Sequence, residues 1–351
     1  MLLLLLALFI LAVWSCRFRW HGTYDDYLSK EQTTAINGIF IVWVFVRHVQ
    51  SPYLVEAGYT YSLLGDSLFR WIDLAAGQLI VAIFLFNSGY GVMAATLKGG
   101  MDYVKRMPVR RILTTYLNFA IAVGVFVAFR FIVDSHPVGL SKVLLSFMAL
   151  DGVGNSYWYI FAILVCYAVF WLSALCVRLN PIRMLPLLCA GVGAYVWVMS
   201  LCMPLYWYST ASAFAMGCVY CVFKNRIDDV VQRVYWPCFV VVWIAFYFVH
   251  FRLGFEWHGV RSNVVTLLFV IGFVLLMMKF RMRNAALLWL GSHLFPIYIY
   301  QRLPMILLDR CSSGWLTKEC VSLFIIISWC LALMIAWAYR WWRVDFSKVR
   351  R

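Results

Sequence analysis

Apolar runs of about 20 residues recur from one end of this chain to the other, each long enough to cross a hydrocarbon core of about 30 Å. Of 351 residues, 64% are hydrophobic and 13% charged, and the mean hydropathy is +0.84. A water-soluble core helix keeps one polar face, so this many all-apolar stretches leave a polytopic helical membrane protein. Eleven spans are expected, at 2–15, 34–53, 75–96, 112–133, 157–177, 184–202, 205–223, 234–250, 262–279, 285–308 and 318–340. The predicted fold class is therefore all-α: a transmembrane bundle of about ten core spans plus one extra N-terminal span. In domain terms, 1–16 is that extra span or anchor, 30–343 the transmembrane domain and 344–351 a basic cytoplasmic tail.

The formal charge of +15 suggests a nucleic-acid partner until its distribution is read. With alternate loops assigned to the cytoplasm, 21 of the 30 Lys and Arg fall inside, and every short inside loop is basic. The positive-inside rule then puts the N-terminus outside and the tail RWWRVDFSKVRR in the cytoplasm. The charge encodes topology, with anionic membrane lipid as a secondary contact and no nucleic acid. Residues 1–16 lack the basic start of a signal peptide, and Trp14 fits a lipoprotein cleavage box poorly, so a short span is the default. The eleven cysteines lie mostly inside spans, as small buried hydrophobes do. Cys218 and Cys221 share an apolar helix without further ligands, so no metal site is expected. Cys311 and Cys320 flank an outer loop, where pairing is left open.

Function is sought where polar groups enter the hydrocarbon. The run AINGIFIVWVFVRHV (35–49) carries His48, and ionisable groups at that depth are rare and costly. Asn37 lies eleven residues earlier, on about the same helix face and about 16 Å along the axis. By the same arithmetic His48 is about 21 Å into its span, and Gln301 and Arg302 are about 24 Å into theirs. Arg47, His48, Gln301 and Arg302 thus share one membrane level near the outer side. The fifth span starts there with Asn155, Trp158 and Tyr159. The third carries Gln78 near its outer end and Asn87–Ser88–Gly89 near mid-depth. Polar groups on several helices at similar depth imply a cavity rather than lipid contact. The competing readings are plain: a packing histidine, snorkelling arginines, and Asn87 and Ser88 as helix glue with Gly89 allowing close approach. His293 reads as structural. The segment 137–150 is apolar but short, so it is expected to lie on the outer side as an amphipathic piece. Outer carboxylates interleaved with Trp and Tyr suit carbohydrate hydroxyls, although an interfacial aromatic belt explains the rings as well. HExxH, GxSxG and P-loop patterns are absent.

Taken in order, several segments form a series: His48 eleven residues after a polar position, FLFNSGYGVM, KRMPVRRILTTY, NSYWYIFAILVCY and LGSHLFPIYIYQRLP. That series resembles the membrane acyltransferase 3 family over roughly residues 30–340. The resemblance implies a ten-helix bundle that moves acyl groups, usually acetyl, from cytoplasmic acyl-CoA to sugars outside, with acyl-CoA as co-substrate and no bound cofactor. It also implies that His48 is the family's essential histidine, that Ser88–Gly89 is its Ser-Gly step and that Arg110–Arg111 is its basic loop. Two positions depart from the pattern. Asn37 stands where the family usually has Arg or Lys, and Gln301 where many members have a late histidine. Lys30, Arg110 and Arg111 are then the cations left for the donor's phosphates.

The catalytic set expected on this reading is His48, Gln301 and Ser88. The substrate-binding set is Asn37, Arg47, Asn87, Arg110, Arg111, Trp158, Tyr159 and Arg302. A pantetheine arm threads a polar channel while the phosphates stay against inner Lys and Arg. His48 either takes the proton of the attacking hydroxyl or is acylated first, and Gln301 or Asn87 donates to the oxyanion. The alternative from a different class is a transporter or exporter of a glycan or small molecule, using the same cavity without chemistry. It would favour an internal repeat with matching broken helices, and no repeat is evident.

Overall fold

The computed structural model describes residues 16–55, 64–134, 138–282 and 284–346, with residues 7, 9–11, 13 and 14 before them. The expected first span, 2–15, and the end of the tail therefore lie largely outside the described residues. The structure is 81% helical, in line with an all-α class. Among the described residues, six segments are long and apolar enough to cross a membrane: Leu79–Val133, Trp158–Cys176, Pro181–Cys202, Tyr235–Arg252, Val260–Lys279 and Val321–Trp341. The first holds two helices, so these segments account for seven of the expected spans. The expected spans at 34–53, 205–223 and 285–308 are helical but too polar or too broken to qualify by length and composition alone. All three carry residues that line the cavities described below.

Helix α1 (Lys30–Val49) begins where Ser29 Oγ accepts the Gln32 N–H at 3.3 Å, with Glu31 in the first turn against the positive helix end. Helix α2 (Leu64–Ala76) is a short element beside it. Helix α3 (Leu79–Met107) runs into a π-turn at Pro108–Leu113 and then α4 (Thr114–Asp134). Helix α5 (Leu140–Phe147) is the short apolar segment anticipated at 137–150, with Leu140, Leu144, Leu145 and Met148 exposed. Helices α6 (Trp158–Cys176), α7 (Pro181–Cys202), α8 (Ser212–Arg233), α9 (Tyr235–Tyr247) and α10 (Val260–Lys279) follow.

The expected span at 285–308 is three pieces: α11 (Ala285–Ser292), α12 (Leu294–Tyr300) and α13 (Arg302–Cys311). The joints are His293 and Gln301, and Pro296 and Pro304 remove two ladder donors around them. His293 Nδ1 lies 2.8 Å from the Trp289 carbonyl and its ring stacks on Trp289 at 4.2 Å, a structural role as expected. Helices α14 (Trp315–Lys318) and α15 (Val321–Ala338) close the chain, with Cys311 and Cys320 as free thiols.

One feature escaped the sequence reading, and a second was anticipated only at Gly89. Strand β1 (Cys16–Phe18) pairs antiparallel with β2 (Phe280–Met282), Cys16 opposite Met282, and so ties the chain ahead of α1 to the end of α10. The second feature is how close two helix pairs approach. A Cβ on Gly291 would sit 1.8 Å from the Thr34 carbonyl oxygen, and one on Gly38 2.1 Å from that of Leu287. Gly89 on α3 meets the Phe214 carbonyl of α8 in the same way. Small residues let backbones touch where lipid gives no hydrophobic drive for association. These contacts clamp α1 to α11 and α3 to α8, which fixes the helices that carry His48, Asn37 and Ser88.

Candidate active site

Residues of α1 reach two separate cavities. The first, about 340 Å³, is lined by Arg47, His48, Gln78, Asn155, Ser156, Trp158, Tyr206, Tyr298 and Arg302, with aliphatic neighbours. The second, about 670 Å³, is lined by Lys30, Asn37, Asn87, Ser88, Arg111, Tyr159 and Tyr167 among others. They share no lining residue. Between them runs a chain of rings: Phe84 to Tyr159 at 6.3 Å, Tyr159 to Tyr298 at 5.3 Å, and Tyr298 to the His48 imidazole at 6.2 Å. Phe84 and Tyr159 face the Asn37 cavity, and Tyr298 and His48 face the other.

At the His48 cavity, the Gln301 Nε2 lies 2.9 Å from His48 Nδ1 and 3.2 Å from the Tyr298 carbonyl. A carbonyl oxygen only accepts, so it fixes the amide nitrogen, not the oxygen, at this point. The Gln301 N–H groups are thus donated to both, and His48 Nδ1 is an acceptor. Its proton then sits on Nε2. Gln301 is fully buried, its Oε1 has no partner, and it stands behind His48 rather than in the cavity wall. Arg47 Nη1 pairs with the Asp73 carboxylate of α2 at 3.0 Å and also donates to the Asp73 carbonyl. Burial pushes the Asp73 carboxyl up, and the Arg47 charge pulls it back down. Trp43 stacking on Phe69 at 6.1 Å holds α2 in place beside α1.

The Asn37 cavity is satisfied differently. Asn87 Nδ2 donates to Asn37 Oδ1 at 2.9 Å, and Ser88 Oγ pairs with Tyr167 Oη at 2.7 Å. Arg111 lines it, and Lys30 stands exposed at its edge.

The sequence-derived set therefore divides. His48, Arg47, Trp158 and Arg302 meet in one cavity, with Gln301 directly behind. Asn37, Asn87, Ser88, Arg111 and Tyr159 meet in the other, so Ser88 is not beside His48. Arg110 lines neither and is exposed. The amide nitrogens of Gln301 and Asn87, the expected oxyanion donors, are both engaged inside the protein. Of the outer carboxylates, Asp73 holds Arg47, Glu256 accepts from Ser262 and Asp309 from Thr317, so these three serve the fold. Tyr298 and Tyr206 were missed by sequence reasoning. Tyr298 was findable, since it precedes Gln301 by three residues and so shares a face with it; nothing in LYWY singled out Tyr206.

No curated protein and no solved structure gives a match to this chain. One family model does, described as an acyltransferase domain of the acyltransferase 3 type, and it matches residues 34–341. That match runs from Thr34 of α1 through α15, most of the chain, and takes in the lining of both cavities except Leu28, Lys30 and Thr33. A multi-pass helical membrane protein carrying this domain is a membrane acyltransferase, and the chain belongs to the acyltransferase 3 family.

Proposed function

We propose that this protein moves an acyl group, acetyl first among them, from cytoplasmic acyl-CoA to a hydroxyl of an extracytoplasmic carbohydrate. The observation that supports the reading best is the placement of His48. It lines a cavity that also holds Arg302, on the same helix whose other end lines the larger, Lys30- and Arg111-edged cavity. On this reading the larger cavity faces the cytoplasm and takes the donor. Arg111 and Lys30 hold phosphates, and the Asn37, Asn87, Ser88 and Tyr167 groups offer hydrogen bonds to the amides of the pantetheine arm. The thioester reaches His48 when the Tyr159 and Tyr298 rings part. Their closure in the absence of donor keeps the two aqueous sides apart.

In the chemical step, the hydroxyl oxygen bonds to the thioester carbon and its proton passes to His48 Nε2. The tetrahedral species then collapses, the C–S bond breaks, and the thiolate leaves with that proton. For Nε2 to accept, Nδ1 must carry the imidazole's own proton. The Gln301 amide therefore turns, so that its unpartnered Oε1 receives Nδ1–H. The test is release of free CoA thiol by purified protein given acetyl-CoA and a hydroxyl acceptor. We expect turnover by the native chain and a loss of at least about 1,000-fold in His48→Ala. Equal turnover by a folded His48→Ala protein would remove the mechanism.

A further inference from the structure

The oxyanion of acyl transfer needs donors, and the two expected from the sequence are out of reach: Gln301 stands behind His48, outside the cavity wall, and Asn87 lines the other cavity, bonded to Asn37. Two others in the His48 cavity are not. Asn155 is buried, and its orientation is pinned because Oδ1 accepts the Val153 N–H at 3.1 Å, which leaves Nδ2 as a buried donor without a partner. Arg302 Nε is buried and equally unpartnered, and among the described residues its guanidinium makes no ion pair. Arg47, the other cation there, is held by Asp73. A guanidinium Nε–H on a half-buried arginine and a free amide N–H group, both atoms buried at membrane depth and unmet, are costly unless something negative arrives beside them. Arg302 lines the same cavity as the His48 imidazole.

We propose that Asn155 Nδ2 and Arg302 form the oxyanion site for the tetrahedral intermediate beside His48. The proposal rests on the acyl-transfer reading above. As the acceptor oxygen bonds to the thioester carbon, the carbonyl π electrons move onto oxygen. Asn155 and Arg302 hold that oxygen until the electrons return and the C–S bond breaks. Both donors are in place before reaction, so little reorganisation is needed at the moment of charge development.

The experiment measures CoA release by purified protein from acetyl-CoA with three acceptors: water, neutral glucose and acidic glucuronate. Arg302→Gln and Asn155→Asp are compared with native; Asn155→Asp keeps the acceptor for Val153 N–H and removes the donor. The expected result is a fall in kcat of about 100-fold for each variant with all three acceptors, KM staying within about threefold, and partial rescue by Arg302→Lys. Native kcat in either variant overturns the proposal. So does a rise in KM confined to glucuronate, which would make Arg302 an acceptor-recognition group. If the native protein releases no CoA, the acyl-transfer reading itself fails, an outcome distinct from active native protein with unaffected variants.

Discussion

The two cavities share α1, α3, α6 and α12 and differ in which of their polar groups are met. In the Asn37 cavity, amide donates to amide and hydroxyl pairs with hydroxyl, the buried atom left unmet is an acceptor, Asn87 Oδ1, and the cations Lys30 and Arg111 stand in the lining. In the His48 cavity, one arginine is paired, the other is not, and buried donors are left unmet. A wall whose donors are already engaged binds an arriving group modestly, which suits passage. A wall with unmet donors waits for charge, which suits chemistry. On the proposed reading, the Asn37 cavity is the conduit and the His48 cavity the reaction chamber.

The contrast is broken most severely at Gln301. Gln301→Leu removes the groups that orient His48 and receive its Nδ1 proton, and we expect kcat to fall about 100-fold with little change in KM for acyl-CoA. Gln301→His, which restores a ring that can hydrogen-bond His48, recovers much of the loss. A pH–rate profile separates the two roles open to this residue: loss of orientation alone lowers the plateau, whereas loss of the proton acceptor also displaces the limb set by His48.

The conduit side gives a smaller effect of a different kind. Arg111→Gln should raise KM for acyl-CoA by about tenfold, the scale of one charge-assisted hydrogen bond, and leave kcat nearly unchanged. Arg110→Gln, outside both cavities, should change neither, and accessibility labelling of the 98–111 loop checks that orientation is kept. The smallest effect is expected at Asn37. Asn37→Arg gives up the bond from Asn87 and adds a cation within the larger cavity, so KM for acyl-CoA should fall by about twofold to threefold at constant kcat. Steady-state CoA release reads all of these. A kcat effect at Arg111, or a KM effect at Gln301, would merge the two cavities into one function.

Much of this was legible in the sequence, for definable reasons. Long apolar runs fix the membrane class, because nothing else tolerates them. The joint depth of Arg47, His48, Gln301 and Arg302 follows from helix rise alone, and three of the four line one cavity with Gln301 behind it. What one-dimensional spacing does not carry is the partition across the bundle. Ser88 and Asn87 lie on α3 at a depth that suggested service to His48, but the Phe84–Tyr159–Tyr298 rings put them on the other side. Arg110 and Arg111 are neighbours in sequence and diverge by about 100° on a helix, so only one reaches the cavity. The β1–β2 ribbon is three residues a side, too short for any periodicity to register. The span at 285–308 reads as one apolar stretch although Pro296 and Pro304 mark it as broken.

The central claim is that His48 acts as the base for transfer of an acyl group delivered from the opposite side of the membrane. It is tested most directly in sealed proteoliposomes, with orientation selected by tail accessibility. Acyl-labelled CoA is supplied only on the Lys30–Arg111 side and a hydroxyl acceptor only on the His48 side. The account predicts labelled acceptor on the His48 side, free CoA on the other, and neither with His48→Ala. Labelled acceptor formed equally by His48→Ala, or transfer only when donor and acceptor share the His48 side, would contradict it.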